Sequence, residues 1–255
     1  MKIKYYVLIA IFSYLLFTIA SIPAATAFSL LKDNSKLPFS LQGIGGSIWN
    51  GHATRVIAPS APPIENLSWS LNPFSLLLAQ ISANIETDIL KNKITGNITI
   101  KSSGNIYASD IKTTLKGSTV QQLIKLPLGE MGGDITLDID SAEFNPSLPL
   151  ITGMILWNKA TFTLADTVNL GNIEITLKPS DTKTLTASIK NKGGDISIEG
   201  KATLADNKAY TLDLTFKPQE SANNNIKQSL AMFARRQTNG TYLLKQNGNL
   251  RSLGF

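Results

Sequence analysis

No cysteine occurs among the 255 residues, so neither a disulfide nor a thiolate metal ligand is available. Histidine occurs once, as His52, which removes the usual zinc ligand sets and leaves a serine–histidine–acid triad one candidate base. No nucleophile elbow accompanies it, and His52, between Gly51 and Ala53, reads as an exposed turn residue after Trp49. Phosphate-cradling loops are missing too: Gly132-Gly133 and Gly193-Gly194 lack the helix start and the lysine that such a loop needs. Asp134, Asp138 and Asp140 lie close enough to suggest calcium or an acid/base pair, but their alternation with Ile135, Leu137 and Ile139 puts them on the wet face of a strand. No catalytic, cofactor or metal residue is assigned, and the chain does not read as an enzyme. Net charge is +6, and +4 once Lys2 and Lys4 are set aside. The remaining lysines stand singly among threonines and asparagines, as on a solvated sheet face, so nucleic acid is not an expected partner.

Charge of either sign is also absent between Lys4 and Lys32. Within that gap the apolar run Tyr5–Ile22 is as long, if helical, as roughly 27 Å, about the hydrocarbon thickness of a bilayer. Lys2 and Lys4 ahead of it hold the N-terminus in the cytoplasm by the positive-inside bias, which puts everything from about Phe28 outside. The chain is therefore expected to divide into a cytoplasmic tip and transmembrane anchor over 1–27 and a β-rich body over 28–255. A cleaved signal peptide is the rival, because Ala25-Thr26-Ala27 fits a small-x-small cleavage site before Phe28. The length of the apolar run and the apolar Phe28-Ser29-Leu30-Leu31 beyond the cut favour the anchor.

Glycines crowd Leu37–Ala53 around Ile48 and Trp49, which implies bends and close backbone approach. A proline-rich loop over Ala58–Pro63 precedes a short strand, Ile64–Leu71, that carries Trp69. Asn72-Pro73 then opens a short apolar helix through Leu76–Leu78. Period-two alternation follows at Ile81–Ile89, with a turn at Lys91-Asn92-Lys93, and at Ile94–Ile100, Ile135–Ile139, Ile173–Leu177, Leu185–Ile189, Ile196–Leu204 and Tyr210–Phe216. Helices are expected at Thr119–Leu126, ended by Pro127, and at Asn223–Gln237, with Arg235 and Arg236 in its last turn and Asn239-Gly240 ending it. Thr241–Leu250 closes the chain as a strand or hairpin. The fold class is mainly β, an antiparallel meander forming a sandwich or a curled sheet, with a few short helices after one N-terminal transmembrane helix. A packed sandwich is favoured over an open groove, since an exposed apolar trough invites aggregation unless occupied. Gly133-Asp134-Ile135-Thr136-Leu137-Asp138 echoes Gly194-Asp195-Ile196-Ser197-Ile198-Glu199, which suggests an internal duplication.

Leu41, Gly43, Gly45-Gly46-Ser47-Ile48-Trp49-Asn50-Gly51 and Ala53, followed by Leu67-Ser68-Trp69-Ser70-Leu71-Asn72-Pro73, resemble the type II secretion system protein N family. Gly153–Ala160 with Trp157, Leu170-Gly171, Gly200–Leu204, Gly240-Thr241-Tyr242-Leu243 and Gly248-Asn249-Leu250 extend the resemblance along most of the chain. Ser47 and Ile48 replace that family's threonine and leucine. The resemblance implies a non-enzymatic accessory component of the machine that exports folded proteins from the periplasm. It would sit in the inner membrane as a single-pass protein, contacting lipid through residues 5–22 and other secretion subunits through its periplasmic body. Trp49, Trp69 and Trp157 are the candidate partner contacts, although turns around a core tryptophan explain Trp49 as well. A periplasmic lipid-binding or lipid-transfer groove is the alternative, with the apolar sheet face lining a channel.

Overall fold

The computed structural model of the protein describes residues 2–34, 39–58, 63–124, 129–144, 148–164, 166–220, 222 and 224–250. Pro59–Pro62 of the expected loop and Pro127 lie outside these residues. The chain forms two compact units, Met1–Ser103 and Gly104–Phe255, and is mainly antiparallel sheet.

The first unit opens with helix α1 (Lys2–Ala20) and, after a break at Ser21–Pro23, helix α2 (Ala24–Asn34). Pro23 has no N–H to continue the α1 ladder, so the break falls where the ring permits only a new first turn. The strands are β1 (Ser40–Gln42), β2 (Gly45–Gly46), β3 (Asn50–Ile57), β4 (Ile64–Leu71), β5 (Gln80–Ile89) and β6 (Asn92–Lys101). They pair in the order β1-β3-β4-β5-β6, with β2 on β3. The β5–β6 turn consists of Leu90 and Lys91, both with positive φ (49° and 65°), and Ile89 faces Asn92. It is thus a two-residue turn of the mirror-image type that suits strand twist, one residue earlier than the Lys-Asn-Lys triplet suggests. His52 belongs to β3, opposite Ser68, and is not in a turn.

In the second unit, β7 (Ile106–Lys116), β8 (Glu130–Phe144), β9 (Leu150–Thr163), β10 (Thr167–Asp181), β11 (Thr184–Lys192), β12 (Ile196–Ala205) and β13 (Ala209–Pro218) pair in chain order. They are followed by β15 (Tyr242–Asn249) and the two-residue β14 (Arg235–Arg236). Helix α3 (Gly117–Leu123) is tied to β8 by Gln121, which donates to Gly129 O (2.6 Å) and accepts from Met131 N (3.0 Å). Helix α4 (Asn224–Phe233) ends before the two arginines. Arg235 and Arg236 pair instead with Leu243 and Tyr242, because Asn239-Gly240 turns the chain back as a tight hairpin. Among the described residues the strands of this unit form one continuous antiparallel meander that does not close into a barrel. Its wet face carries directly opposed ion pairs, Lys112–Asp138 (3.3 Å), Lys116–Asp134 (2.7 Å) and Lys190–Glu174 (2.9 Å). Its apolar face is covered at one end by α4, whose Ile226 and Leu230 are buried with Ile173, Ile196, Ile198 and Tyr242. Cross-strand rows continue that face away from α4: Leu212–Ala202–Ala187, then Tyr210–Leu204–Leu185.

Gly133 and Gly194, the glycines of the echoed segments, both have φ of +86°. A Cβ on Gly133 would lie 2.4 Å from Asn158 O, and one on Gly194 2.6 Å from Asn169 O. Glycine is required twice over at both positions, by torsion and by the neighbouring strand.

Candidate functional site

The three tryptophans are half-buried, and each donates its indole N–H to a backbone carbonyl. Trp49 donates to Ile19 O (2.9 Å), Trp69 to Ile48 O (3.0 Å) and Trp157 to Gly132 O (2.6 Å). Satisfying that donor lets the ring sit partly out of water at little cost. Trp49 and Trp69 come together at one end of the first unit. Leu71 N donates to Trp49 O (2.6 Å), and the Trp69 ring lies against Gly51, where a Cβ would fall 2.3 Å from the ring. Trp157 lies on β9 in the second unit. The same end of the first unit receives the exit of α1, since Ile48 N donates to Ile22 O (3.0 Å) and Pro23 bridges to Ser47. Ala24 is buried there.

Beyond Leu71 the chain turns through Asn72, whose Oδ1 accepts from Phe74 N (3.0 Å), into a 3-10 helix, Pro73–Leu78. Cap and proline lie where the sequence places them. Ala79, with φ of 52°, ends the helix and returns the chain to β5.

The carboxylates do not form a site. Asp134 and Asp138 are neutralised by Lys116 and Lys112 on the adjacent strand, and Asp140 is exposed. Among the described residues, no group of three or more His, Cys, Asp or Glu could hold a metal. His52 is exposed, with its ring over Gly45.

A cavity of about 480 Å³ lies under α4. Val168, Leu170, Ile198, Phe216, Leu230 and Phe233 line it, and Phe216 and Phe233 meet edge to face at 5.9 Å. At its margin Asn225 Nδ2 donates to Asp166 Oδ2 (2.7 Å). The rear wall is fixed by Asn191, the one polar residue continuing the dry series Leu185, Ala187, Ile189. Its Nδ2 donates to Leu170 O and Ile196 O (both 2.7 Å), and its Oδ1 accepts from Ile198 N (2.6 Å). The sequence signals neither the cavity nor this clamp, because Asn191 on β11 finds its partners on the two neighbouring strands, β10 and β12.

The class of fold is an open, mainly antiparallel sheet with a few short helices and one apolar N-terminal helix. Residues 38–245 match the family model for type II secretion system (T2SS), protein N. The chain belongs to that family, a component of the type II secretion system that is not known as an enzyme. It is 25% identical over 243 residues to "Type II secretion system protein N" of Aeromonas hydrophila, covering 93% of this chain and 95% of the relative. The protein of the same name from Vibrio cholerae serotype O1 is 26% identical, covering 94% of this chain and 96% of its own. No solved structure matches the chain.

Proposed function

We propose that the protein is an inner-membrane accessory subunit of the type II secretion machine: α1 crosses the bilayer, the N-terminus is cytoplasmic, and the β-rich body stands in the periplasm against other secretion subunits. The observation that carries this is the junction at Trp49. Over Ile3–Ala20 the helix is long and apolar enough to cross a membrane and is wholly exposed, while its last turn is bonded to the folded unit. A helix that keeps so predominantly apolar a surface in the open needs an apolar solvent. The bonds from Ile19 and Ile22 favour an uncleaved anchor over a signal removed after Ala27. Trp49, Trp69 and Trp157 remain the candidate contacts, since half-buried rings with satisfied N–H groups are cheap to desolvate fully. Photo-crosslinkers placed beside each tryptophan in intact cells test this. Adducts with other secretion subunits are expected, and loss of the gene should leave secreted enzymes in the periplasm. Normal secretion with no adduct would overturn it.

A second reading rests on the apolar face of the second unit. On the same apolar face Leu185, Ala202, Leu204 and Leu212 line a further space of about 240 Å³. Such a trough suits an acyl chain, and the body would then bind or pass lipid across the envelope. Mass spectrometry of solvent extracts from the purified body should find stoichiometric lipid; a lipid-free body dismisses this second role.

A further inference from the structure

The 3-10 helix Pro73–Leu78 is built inside out. Its polar side chain faces inward: Ser75 is 3% exposed, donates to Asn72 O (2.6 Å) and accepts from Ser82 N (3.1 Å). Its apolar side chains face outward, with Phe74 73%, Leu76 49%, Leu77 82% and Leu78 73% exposed. Four neighbouring large apolar residues in water are costly, and a folded domain presents such a cluster where something apolar receives it.

Two observations identify what receives it. The first is position. The helix caps the β4–β5 hairpin beyond Leu71, whose N–H bonds Trp49 O, and Trp49 in turn bonds Ile19 O at the outer end of α1. The cluster therefore lies at the end of the unit where α1 leaves the bilayer; Leu30 and Leu31 of α2, which follows α1 in the chain, are also exposed. The second is charge. No charged residue occurs from Asn66 to Ile85, nor from Phe39 to Thr54. The charged residues of these strands, Arg55, Glu65, Glu86, Asp88, Lys91 and Lys93, lie towards the opposite end, where Arg55 faces Glu65, Glu65 faces Asp88 and Asp88 faces Lys93. Among the strand residues at the Trp49 end the charged one is Lys101, opposite Gln80, and Lys32 and Asp33 follow Leu31 in the sequence of α2. An apolar rim with a tryptophan, no charge on the strand ends but one lysine, and charges only at the close of α2 is the composition of a membrane–water interface.

We infer that Pro73–Leu78 is a membrane foot that beds Phe74, Leu76, Leu77 and Leu78 in the periplasmic leaflet of the bilayer that α1 crosses. The inference rests on α1 as a membrane span. It gives the first unit a second point of attachment, so the sheet stands on the membrane at a fixed orientation instead of swinging from one helix.

The absence of cysteine makes the test direct. Single variants Leu77→Cys, Leu15→Cys and Lys91→Cys of the full chain are nitroxide-labelled in phosphatidylethanolamine–phosphatidylglycerol vesicles. Accessibility to oxygen is then compared with accessibility to a water-soluble nickel chelate. Leu77 is a fully exposed position, so its label does not depend on tolerance of the core. The expected result is an oxygen-dominated ratio at Leu77, as at Leu15, and the reverse at Lys91. A nickel-dominated label at Leu77 overturns the foot whatever Leu15 reports. A nickel-dominated label at Leu15 overturns the anchor, and Leu77 alone then decides whether the foot docks by itself.

Discussion

Asn191→Ala tests whether the rear wall of the α4 cavity is held by a side chain rather than by strand pairing alone. Asn191 is half-buried, and its amide contacts Leu170 O and Ile196 O at 2.7 Å, with Gly193 O at 3.2 Å, while its Oδ1 takes Ile198 N at 2.6 Å. Truncation leaves the Leu170 and Ile196 carbonyls and the Ile198 N–H without these partners, while the longer contact to Gly193 O is exposed and is replaced by water. A hydrogen bond replaced by water costs about 0.5–1.5 kcal/mol, and a buried group left bare about 1–3 kcal/mol. Three groups at a half-buried site therefore sum to roughly 2–5 kcal/mol, with the groups of Ile196 and Ile198 the most costly because both residues are buried. For a unit the size of Gly104–Phe255, 1 kcal/mol moves Tm by about 2–4 °C, so a loss of about 5–15 °C is expected. Hydrogen exchange gives the specific readout: the Ile198 amide should lose protection first, before amides in the middle of β12. Asn191→Asp keeps the acceptor but loses both donors, so it should preserve Ile198 protection while still lowering Tm. The reasoning is refuted if Asn191→Ala melts within about 1 °C of the parent, since water must then serve all three groups equally well.

Two further substitutions probe the sheet. Gly133→Ala should cost at least about 1–2 kcal/mol from its left-handed φ, and more from the clash with Asn158 O and Lys159 O; urea titration of the second unit checks it. Lys116→Ala, by contrast, removes an ion pair whose lysine side chain is 72% exposed, so it should change stability by less than about 1 kcal/mol, and that difference should shrink in 1 M salt.

These contrasts also explain what could be read along the chain. Strands β5, β6 and β10 to β13 have one wet and one dry face, and their alternation is visible in Ile173–Leu177 or Ile196–Leu204 without any structure. Strand β9 was hidden because Met154-Ile155-Leu156-Trp157 is a continuous apolar run, partly buried on both faces, with no period to detect. Strand β7 was hidden for another reason. Its buried positions change from even (Ala108) to odd (Thr113, Leu115) across Asp110, whose φ of 54° breaks the phase. The arginines after α4 suit a helix C-terminus, and pairing with Leu243 and Tyr242 outweighed that local preference. The ends of the tryptophan bonds were invisible for a simpler reason: Ile19 is thirty residues from Trp49, and Gly132 twenty-five from Trp157. The Asn72-Pro73 cap was legible, whereas the inversion of the helix it opens was not, because Ser75 among leucines looks like a flaw in an apolar run until Ser82 is seen to need it.

The same junction bears on the choice between anchor and cleaved signal through folding energy. A chain beginning at Phe28 lacks Ile19 O, which accepts the Trp49 indole, and Ile22 O, which accepts Ile48 N. It also loses the bridge from Pro23 to Ser47 and the burial of Ala24 against the sheet. Water can reach part of this surface once the segment is gone, so the loss lies nearer the exchanged than the orphaned limit, about 1–3 kcal/mol for the two bonds together. The turn at Ser47–Trp49 keeps its bonds to Trp69, Leu71 and Asn50, so the loss should be local: faster exchange at Ile48 and Leu71, a red-shifted Trp49, and an unchanged second unit. If a chain starting at Phe28 keeps full protection at Ile48 and the parent Tm, the helix–sheet junction contributes nothing to the fold, and the structural preference for an uncleaved anchor goes with it.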